Sequence, residues 1–252
     1  MSTGKQLRMR RIVGEDGRAL MVAMDQAAVG GSMVYLADPL RAVRAVMEAQ
    51  PDSLLLTRGM LRHGWEAVAA PLGLVMRISG GFTILEGARE FRDRIITGVE
   101  EALRWGSDGV AVAVKFGHEL EGEFIQGVSA VADACDRWGV PLVIEAMVAL
   151  RGSAGLSEEE ALAVAARAAA ELGADLVQLR YPAKGGNLVE AIRGCPVPVL
   201  VQCGDTMDDD AVLGMVESAV EDGAAGVALG RNAWQRDDPA TFIQRVHAAL
   251  GR

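Results

Sequence analysis

The chain has 252 residues, half of them hydrophobic, and a formal net charge of −9. This length and apolar content allow one large core, and α/β barrels are often this long. The acidic balance and the absence of a basic run argue against nucleic acid or an anionic membrane as a partner. The three cysteines show no disulfide-like or metal-like spacing, which fits the cytoplasm. No segment resembles a signal peptide or a membrane span.

Eight short apolar runs alternate with stretches of helical periodicity. Each run is nearly continuous in Val, Leu, Ile, Ala or Met, as expected for parallel strands covered on both faces. The runs cover residues 18–25, 52–58, 73–79, 109–116, 140–147, 174–181, 197–203 and 225–230. Among the helix signals, Ser157 and Glu160 form a capping box, and Asp238-Pro239 precedes the last helix. The pattern predicts one α/β domain over residues 1–252, a (β/α)₈ TIM barrel, with a doubly wound open sheet as the alternative.

Functional groups of such a barrel lie where the strands end, so polar residues there are the candidates. Asp25 ends strand 1 and Glu145 ends strand 5, where a carboxylate is costly unless it is paired or used. Lys115 is the one lysine inside a strand, since Lys5 lies in the N-terminal tail and Lys184 in the loop after strand 6. A buried lysine either finds a carboxylate, for which Glu145 is the natural partner, or becomes a nucleophile or base.

Glycine follows strands 7 and 8, a pattern typical of a phosphate site. Gly204 follows strand 7, and Gly230-Arg231 follows strand 8 ahead of a short helical segment. Glycine lets backbone N–H groups turn toward an anion, and a guanidinium grips phosphate with two hydrogen bonds. Arg180 ends strand 6 on the face expected to line the same mouth. Asp205 opposes this interpretation, because it would repel phosphate unless it caps the next helix.

Six segments together carry a family resemblance: GKQLRMRRI, VAMDQ, VADACDRWGVPL, ADLV, CPVPVLV and GAAGVALGRNAWQRDDP. They resemble the DeoC/LacD-type class I aldolases, such as archaeal-type fructose-bisphosphate aldolases, 2-amino-3,7-dideoxy-heptulosonate synthases and autoinducer-2 phosphate processing enzymes. The resemblance implies a (β/α)₈ barrel, often a homodecamer, that acts on phosphorylated ketoses through a lysine imine without a metal or other cofactor. It also implies that Asp25 orients or relays protons and that Gly204, Gly230 and Arg231 hold phosphate.

The sequence departs from this family where the family's chemistry takes place. The position of the family's strand-6 lysine is Gln178, which cannot form an imine. The family's acid/base tyrosine falls on or near Met147, and the usual Asp-His of strand 1 is Asp25-Gln26. The loops at 27–38, 80–93 and 148–156 depart most from the family and are expected to set specificity.

Three hypotheses follow from these departures. In the first, the imine lysine has moved to Lys115 on strand 4, as in transaldolases, which resemble this group, and Glu145 and Asp25 divide the acid and base roles. In the second, a lyase, isomerase or cyclase acts on an anionic sugar without an imine, with Lys115 as base or enolate stabiliser. In the third, the protein binds a phosphorylated ligand without turning it over. We expect a phosphorylated small molecule as the partner, although the second hypothesis also allows another anionic sugar, and we expect a homo-oligomer.

Overall fold

Eight parallel strands close into a barrel in a computed structural model that describes residues 2–69, 71–86, 92–150, 155–182 and 185–252. The strands are β1 (Ala19–Met24), β2 (Ser53–Leu56), β3 (Gly73–Arg77), β4 (Gly109–Phe116), β5 (Leu142–Val148), β6 (Leu176–Arg180), β7 (Val199–Gln202) and β8 (Gly226–Leu229). Each pairs with its neighbour in chain order, and β8 pairs with β1 through Ala19 opposite Gly226. The predicted (β/α)₈ barrel is confirmed, and this last pairing excludes the open sheet.

Helices alternate with the strands and cover the outside of the barrel. They are α1 (Thr3–Ile12), α2 (Ala27–Gly30), α3 (Pro39–Met47), α4 (Arg58–Gly64), α5 (Val99–Arg104), α6 (Glu121–Trp138), α7 (Glu158–Glu171), α8 (Val189–Gly194), α9 (Asp209–Glu221), α10 (Arg231–Trp234) and α11 (Pro239–Ala249). The predicted capping box of α7 is present, and Asp238 caps α11. None of the helices in these ranges is long and apolar enough to cross a membrane.

The two faces of the strands pack into separate hydrophobic clusters. One cluster fills the barrel, and its strand residues include Met21, Val75, Ala111, Val143 and Leu176. The other lies between the strands and the helices. Because side chains two residues apart share a face, counting on from the barrel-filling residues shows which strand-end side chains point into the mouth.

Helix α1 closes the opposite end of the barrel. Its last residue, Ile12, is fully buried in the interior cluster. Lys5 is 4% exposed and forms ion pairs with Asp136 at 2.7 Å and with Asp175 at 2.8 Å. Burial alone would lower the pKa of Lys5, but the two aspartates outweigh it and raise that pKa. The prediction that Lys5 lies in a tail is therefore wrong, since it anchors α1 beneath the barrel.

Candidate active site

The polar side chains at the strand ends converge at the mouth of the barrel. Alternation places Asp25, Arg77, Lys115, Glu145 and Gln178 on the interior face. Glu145 lies between its neighbours on β4 and β6 in the sheet register, opposite Ala113 and Gln178. The four residues expected to carry the chemistry therefore face one space, together with Arg77, whose orientation the sequence left open.

Arg77 is the centre of this group. Its Nε donates to Asp25 Oδ2 at 2.7 Å, and its Nη2 donates to Glu145 Oε2 at 2.6 Å. Burial disfavours the cation, but the charges of Asp25 and Glu145 outweigh it and raise the pKa of Arg77 above its ordinary value. Gln202 on β7 donates to Glu145 Oε1 at 3.1 Å. We expected Lys115 to be the partner of Glu145, but both oxygens of this carboxylate accept hydrogen bonds from Arg77 and Gln202.

Lys115 lies one step further toward the mouth than this ion-pair network. It is half-buried on the interior face, two residues beyond Ala113 and opposite Met147. Successive residues on one face of a strand are about 6.6 Å apart, which is within reach of a lysine side chain. The amine of Lys115 can therefore approach the space above Ala113 and Glu145.

Gln178 forms part of the floor. It is 2% exposed, and its Nε2 donates to the sulfur of Met21 at 3.0 Å. The side-chain amide of Gln178 is therefore almost inaccessible to solvent. Lys184, the other lysine of this region, lies outside the described residues.

The predicted phosphate residues meet on the β6–β8 side of the mouth. Arg180 Nη2 donates to Asp205 Oδ2 at 2.8 Å, and Arg231 Nη2 donates to the Gly204 carbonyl at 3.1 Å. Gly204 has a φ of +82°, and Arg180 lies so close to it that an added Cβ would collide with the guanidinium. At Gly230 an added Cβ would lie 2.6 Å from Gln26 Nε2. The positive φ favours glycine at position 204, whereas at position 230 a Cβ would have to displace the end of the Gln26 side chain.

Asp205 does not cap the next helix, which was the condition under which it would be compatible with phosphate. Asp208 caps α9 instead. The carboxylate of Asp205 is 80% exposed and lies 2.8 Å from Arg180 and 3.9 Å from Arg231. Buried Asn232 holds the loop by donating to the Asp205 carbonyl at 2.7 Å. Arg180 and Arg231 therefore both approach one exposed carboxylate, that of Asp205.

A cavity of about 440 Å³ opens on the other side of the mouth, beside Arg77. Thr57, Arg58, His63, Arg77, Ser79 and Thr97 contribute its polar lining. None of the described residues that line it is acidic. Most of the remaining lining is apolar, from residues such as Leu36 and Met60.

Ser79 and Asp93 form a second buried pair beside Arg77. Ser79 Oγ donates to Asp93 Oδ2 at 2.7 Å and accepts the backbone N–H of Ala113 at 3.0 Å. Burial raises the pKa of Asp93 to about 6, although its hydrogen bond from Ser79 and the charge of Arg77 act in the opposite direction. Two polar atoms of this region, Arg77 Nη1 and Asp93 Oδ1, are buried without a hydrogen-bond partner.

Sequence reasoning missed the central role of Arg77 and the contributions of Gln202, Ser79 and Asp93. Arg77 offered a signal, because it is a lone cation at the end of an apolar strand. Asp93 offered none, since it lies far along a loop and meets Ser79 through an antiparallel pairing of Ser79–Gly80 with Arg94–Ile95. Residues 87–91 and 151–154, within two of the predicted specificity loops, lie outside the described residues.

Comparisons with known proteins show which proteins this chain resembles. The family model for "DeoC/LacD family aldolase" matches residues 19–236. The 2-amino-4,5-dihydroxy-6-oxo-7-(phosphonooxy)heptanoate synthase of Streptomyces griseus is 34% identical over 96% of this chain and 88% of its own length. The 2-amino-3,7-dideoxy-D-threo-hept-6-ulosonate synthase 1 of Archaeoglobus fulgidus is 30% identical over 97% and 90%. The structure of a Schiff-base-forming fructose-1,6-bisphosphate aldolase superposes with a TM-score of 0.85 at 26% identity, covering 98% of this chain and 99% of that one.

Proposed function

Because this chain belongs to the DeoC/LacD family of aldolases and is an enzyme of the aldolase and lyase type, we propose that it forms an imine between Lys115 and a phosphorylated keto compound. The imine then allows a carbon–carbon bond of that compound to form or break. The observation that carries this proposal is the position of Lys115 on the interior face of β4, above the network of Arg77 with Asp25 and Glu145. Gln178, where the family lysine is expected, has no amine.

The chemistry needs an amine that reaches the keto carbon. Lys115 Nζ adds to that carbon, and loss of the carbonyl oxygen as water leaves an iminium ion. In condensation, the iminium lets a base remove a proton from the adjacent carbon, and the resulting enamine carbon bonds to an aldehyde carbon, whose oxygen takes up a proton. In cleavage the iminium accepts the electron pair of the broken carbon–carbon bond. Of the two described lysines, Lys5 lies under the barrel, so Lys115 is the candidate.

The two carboxylates held by Arg77 suit this reaction. Asp25 and Glu145 are fixed by hydrogen bonds of 2.7 and 2.6 Å. Fixed negative charge stabilises a cationic iminium without reorganisation during the reaction. The same oxygens can accept hydrogen bonds from substrate hydroxyl groups. We therefore still assign the acid and base roles to Asp25 and Glu145.

The phosphate of the substrate is proposed to bind between Arg180 and Arg231, beside Gly204 and Gly230. A phosphate dianion forms stronger paired hydrogen bonds with guanidinium groups than a single carboxylate does, so it would displace the exposed side chain of Asp205. The Streptomyces griseus relative is named for a phosphonooxy keto acid, which supports the same class of substrate here. The rest of the substrate would extend toward the cavity beside Arg77.

Reduction of the imine tests the proposal directly. The protein is incubated with dihydroxyacetone phosphate or with fructose 1,6-bisphosphate, treated with borohydride, and mapped by mass spectrometry. We expect an adduct on Lys115 that disappears in Lys115→Met and persists in the matched control Lys184→Met. An adduct on Lys184 would refute the assignment of Lys115 while keeping imine chemistry. No adduct with these ketoses or with a wider panel of phosphosugars would refute imine formation altogether.

One observation favours a second candidate, a lyase, isomerase or cyclase that does not form an imine. Arg77 Nη1 is buried without a hydrogen-bond partner, beside the cavity that Arg77 lines. A donor in this position could stabilise an enolate oxygen, with Lys115 as the base. Turnover without a reducible adduct, lost in Lys115→Met, would identify this reaction.

We also propose that the protein is cytoplasmic and forms a homo-oligomer. Several large apolar side chains are exposed, including Val34 at 88% and Leu85 at 93%. Exposed apolar side chains of this size favour association where they lie together on the surface. Light scattering on the purified protein should give a mass above that of one chain, and a monomer at micromolar concentration would refute this part.

A further inference from the structure

We propose that Ser79 and Asp93 form the proton relay that serves Lys115. This inference rests on the proposed imine chemistry and adds to it the group that supplies the proton. The resembled family uses a tyrosine for such transfers, and here that position falls on or near Met147, which carries no proton. Ser79 lies two residues beyond β3, and Asp93 lies just before Arg94–Ile95, the segment that pairs with Ser79–Gly80. Neither belongs to the strand expected to carry the family's tyrosine.

The Ser79 hydroxyl lies beside the strand that carries Lys115. Ser79 is one of the residues that line the cavity beside Arg77, although it is only 5% exposed. It accepts the N–H of Ala113 at 3.0 Å. Ala113 is the interior-facing residue immediately before Lys115 on β4. The hydroxyl is therefore fixed against the backbone of the strand that carries the lysine, two residues before it.

The carboxyl group of Asp93 is held in place through one oxygen only. It is 6% exposed and accepts the Ser79 hydroxyl through Oδ2 at 2.7 Å, whereas Oδ1 is buried without a hydrogen-bond partner. Arg77 and Glu145 are the charged groups that act on it from β3 and β5, in opposite directions. Its pKa, raised to about 6 by burial, allows it to be protonated or ionised near neutral pH.

The step balances in atoms and charge. Lys115 Nζ has added to the keto carbon, giving a neutral carbinolamine. As its carbon–oxygen bond breaks, the departing oxygen takes the proton of the Ser79 hydroxyl and leaves as water. The proton of the Asp93 carboxyl replaces that of Ser79, and the nitrogen lone pair forms the carbon–nitrogen double bond. The products are an iminium ion and an Asp93 carboxylate, and hydrolysis of the imine runs the same steps backward.

A purely structural role for the pair is the competing explanation. The Ser79–Asp93 bond also ties the antiparallel pairing of Ser79–Gly80 with Arg94–Ile95 to the barrel strand β4. A tie of this kind would change stability at every pH and would leave the pH dependence of the chemistry unchanged. The rate of imine formation as a function of pH therefore distinguishes the two roles.

The experiment follows borohydride trapping of dihydroxyacetone phosphate between pH 5 and 8 in wild type, Asp93→Asn and Ser79→Ala. The proposal requires the protonated carboxyl, so the advantage of wild type over Asp93→Asn should be greatest below about pH 6. We expect at least a 100-fold slower trapping in both variants at pH 5.5, a typical value for loss of a general acid. The advantage should decline as the pH rises above that value.

Two further variants keep the result interpretable. Ser79→Thr retains a hydroxyl and should recover much of the rate lost in Ser79→Ala. Asp175→Asn changes an equally buried aspartate at the other end of the barrel and should leave the pH profile intact. Trapping on Lys115 that is as fast in Asp93→Asn as in wild type, at all pH values, would overturn the relay and leave the imine standing. Absence of any Lys115 adduct in wild type would overturn the imine and the relay together.

Discussion

Replacing Arg77 with methionine removes the cation that Asp25 and Glu145 share. The nitrogen–oxygen distances are 2.7 and 2.6 Å, and the three side chains are only 11, 13 and 19% exposed. Removing one partner of a buried ion pair costs about 3–5 kcal/mol, because the remaining charge stays buried. The mouth is partly open to water, so we expect the free energy of unfolding at pH 7 to fall by about 3 kcal/mol, the lower end of this range.

The loss comes from charge that stays buried. Without Arg77, the carboxylates of Asp25 and Glu145 remain close together without the cation that both now contact.

Urea denaturation followed by circular dichroism measures this loss of stability. With a urea dependence of about 3 kcal/mol per molar, the expected loss lowers the midpoint by about 1 M. Arg193→Met is the matched control, because Arg193 and Glu190 form an ion pair in which both side chains are more than 70% exposed. Its stability should change by no more than about 0.5 kcal/mol. An Arg77→Met variant with an unchanged midpoint would show that the network is not formed.

Two other variants test parts of the fold on which the site depends. Lys5→Met leaves Asp175 buried without its cation and should cost about 2–4 kcal/mol at pH 8. The pKa of Lys5 in the folded protein lies above 10.5. The loss of stability, measured by urea denaturation, should therefore shrink only as the pH rises beyond that value. An equal loss at pH 8 and at pH 12 would contradict the ion pairs. Gly204→Ala should displace Arg180 and weaken the binding of inorganic phosphate at least tenfold by calorimetry. It should also cost about 1–2 kcal/mol, because φ is +82° at this position. Undiminished phosphate binding would separate Arg180 from the anion site.

The sequence alone determined the architecture and much of the candidate set. Apolar runs of strand length, separated by helix caps such as Ser157 with Glu160, are local signals, because capping and periodicity depend on neighbours within a few residues. Candidates such as Lys115 and Glu145 emerged for the same reason, since a charge in an apolar strand is costly wherever the strand lies. The family resemblance was also readable, and the comparisons confirm it.

Only the tertiary structure decided which charges meet. Strands that are apolar on both faces carry no alternation that tells inside from outside, so the sequence could not orient Lys115 or assign Arg77 to the mouth. Closure of the barrel and the register of its strands decide these orientations. They place the carboxylate of Glu145 within hydrogen-bonding distance of Arg77 and Gln202 instead of Lys115. The contact of Ser79 with Asp93 joins residues 14 positions apart. This contact forms because Ser79–Gly80 pairs antiparallel with Arg94–Ile95, which brings Asp93 back to the barrel. The pattern of residues next to Ser79 or Asp93 does not predict that pairing.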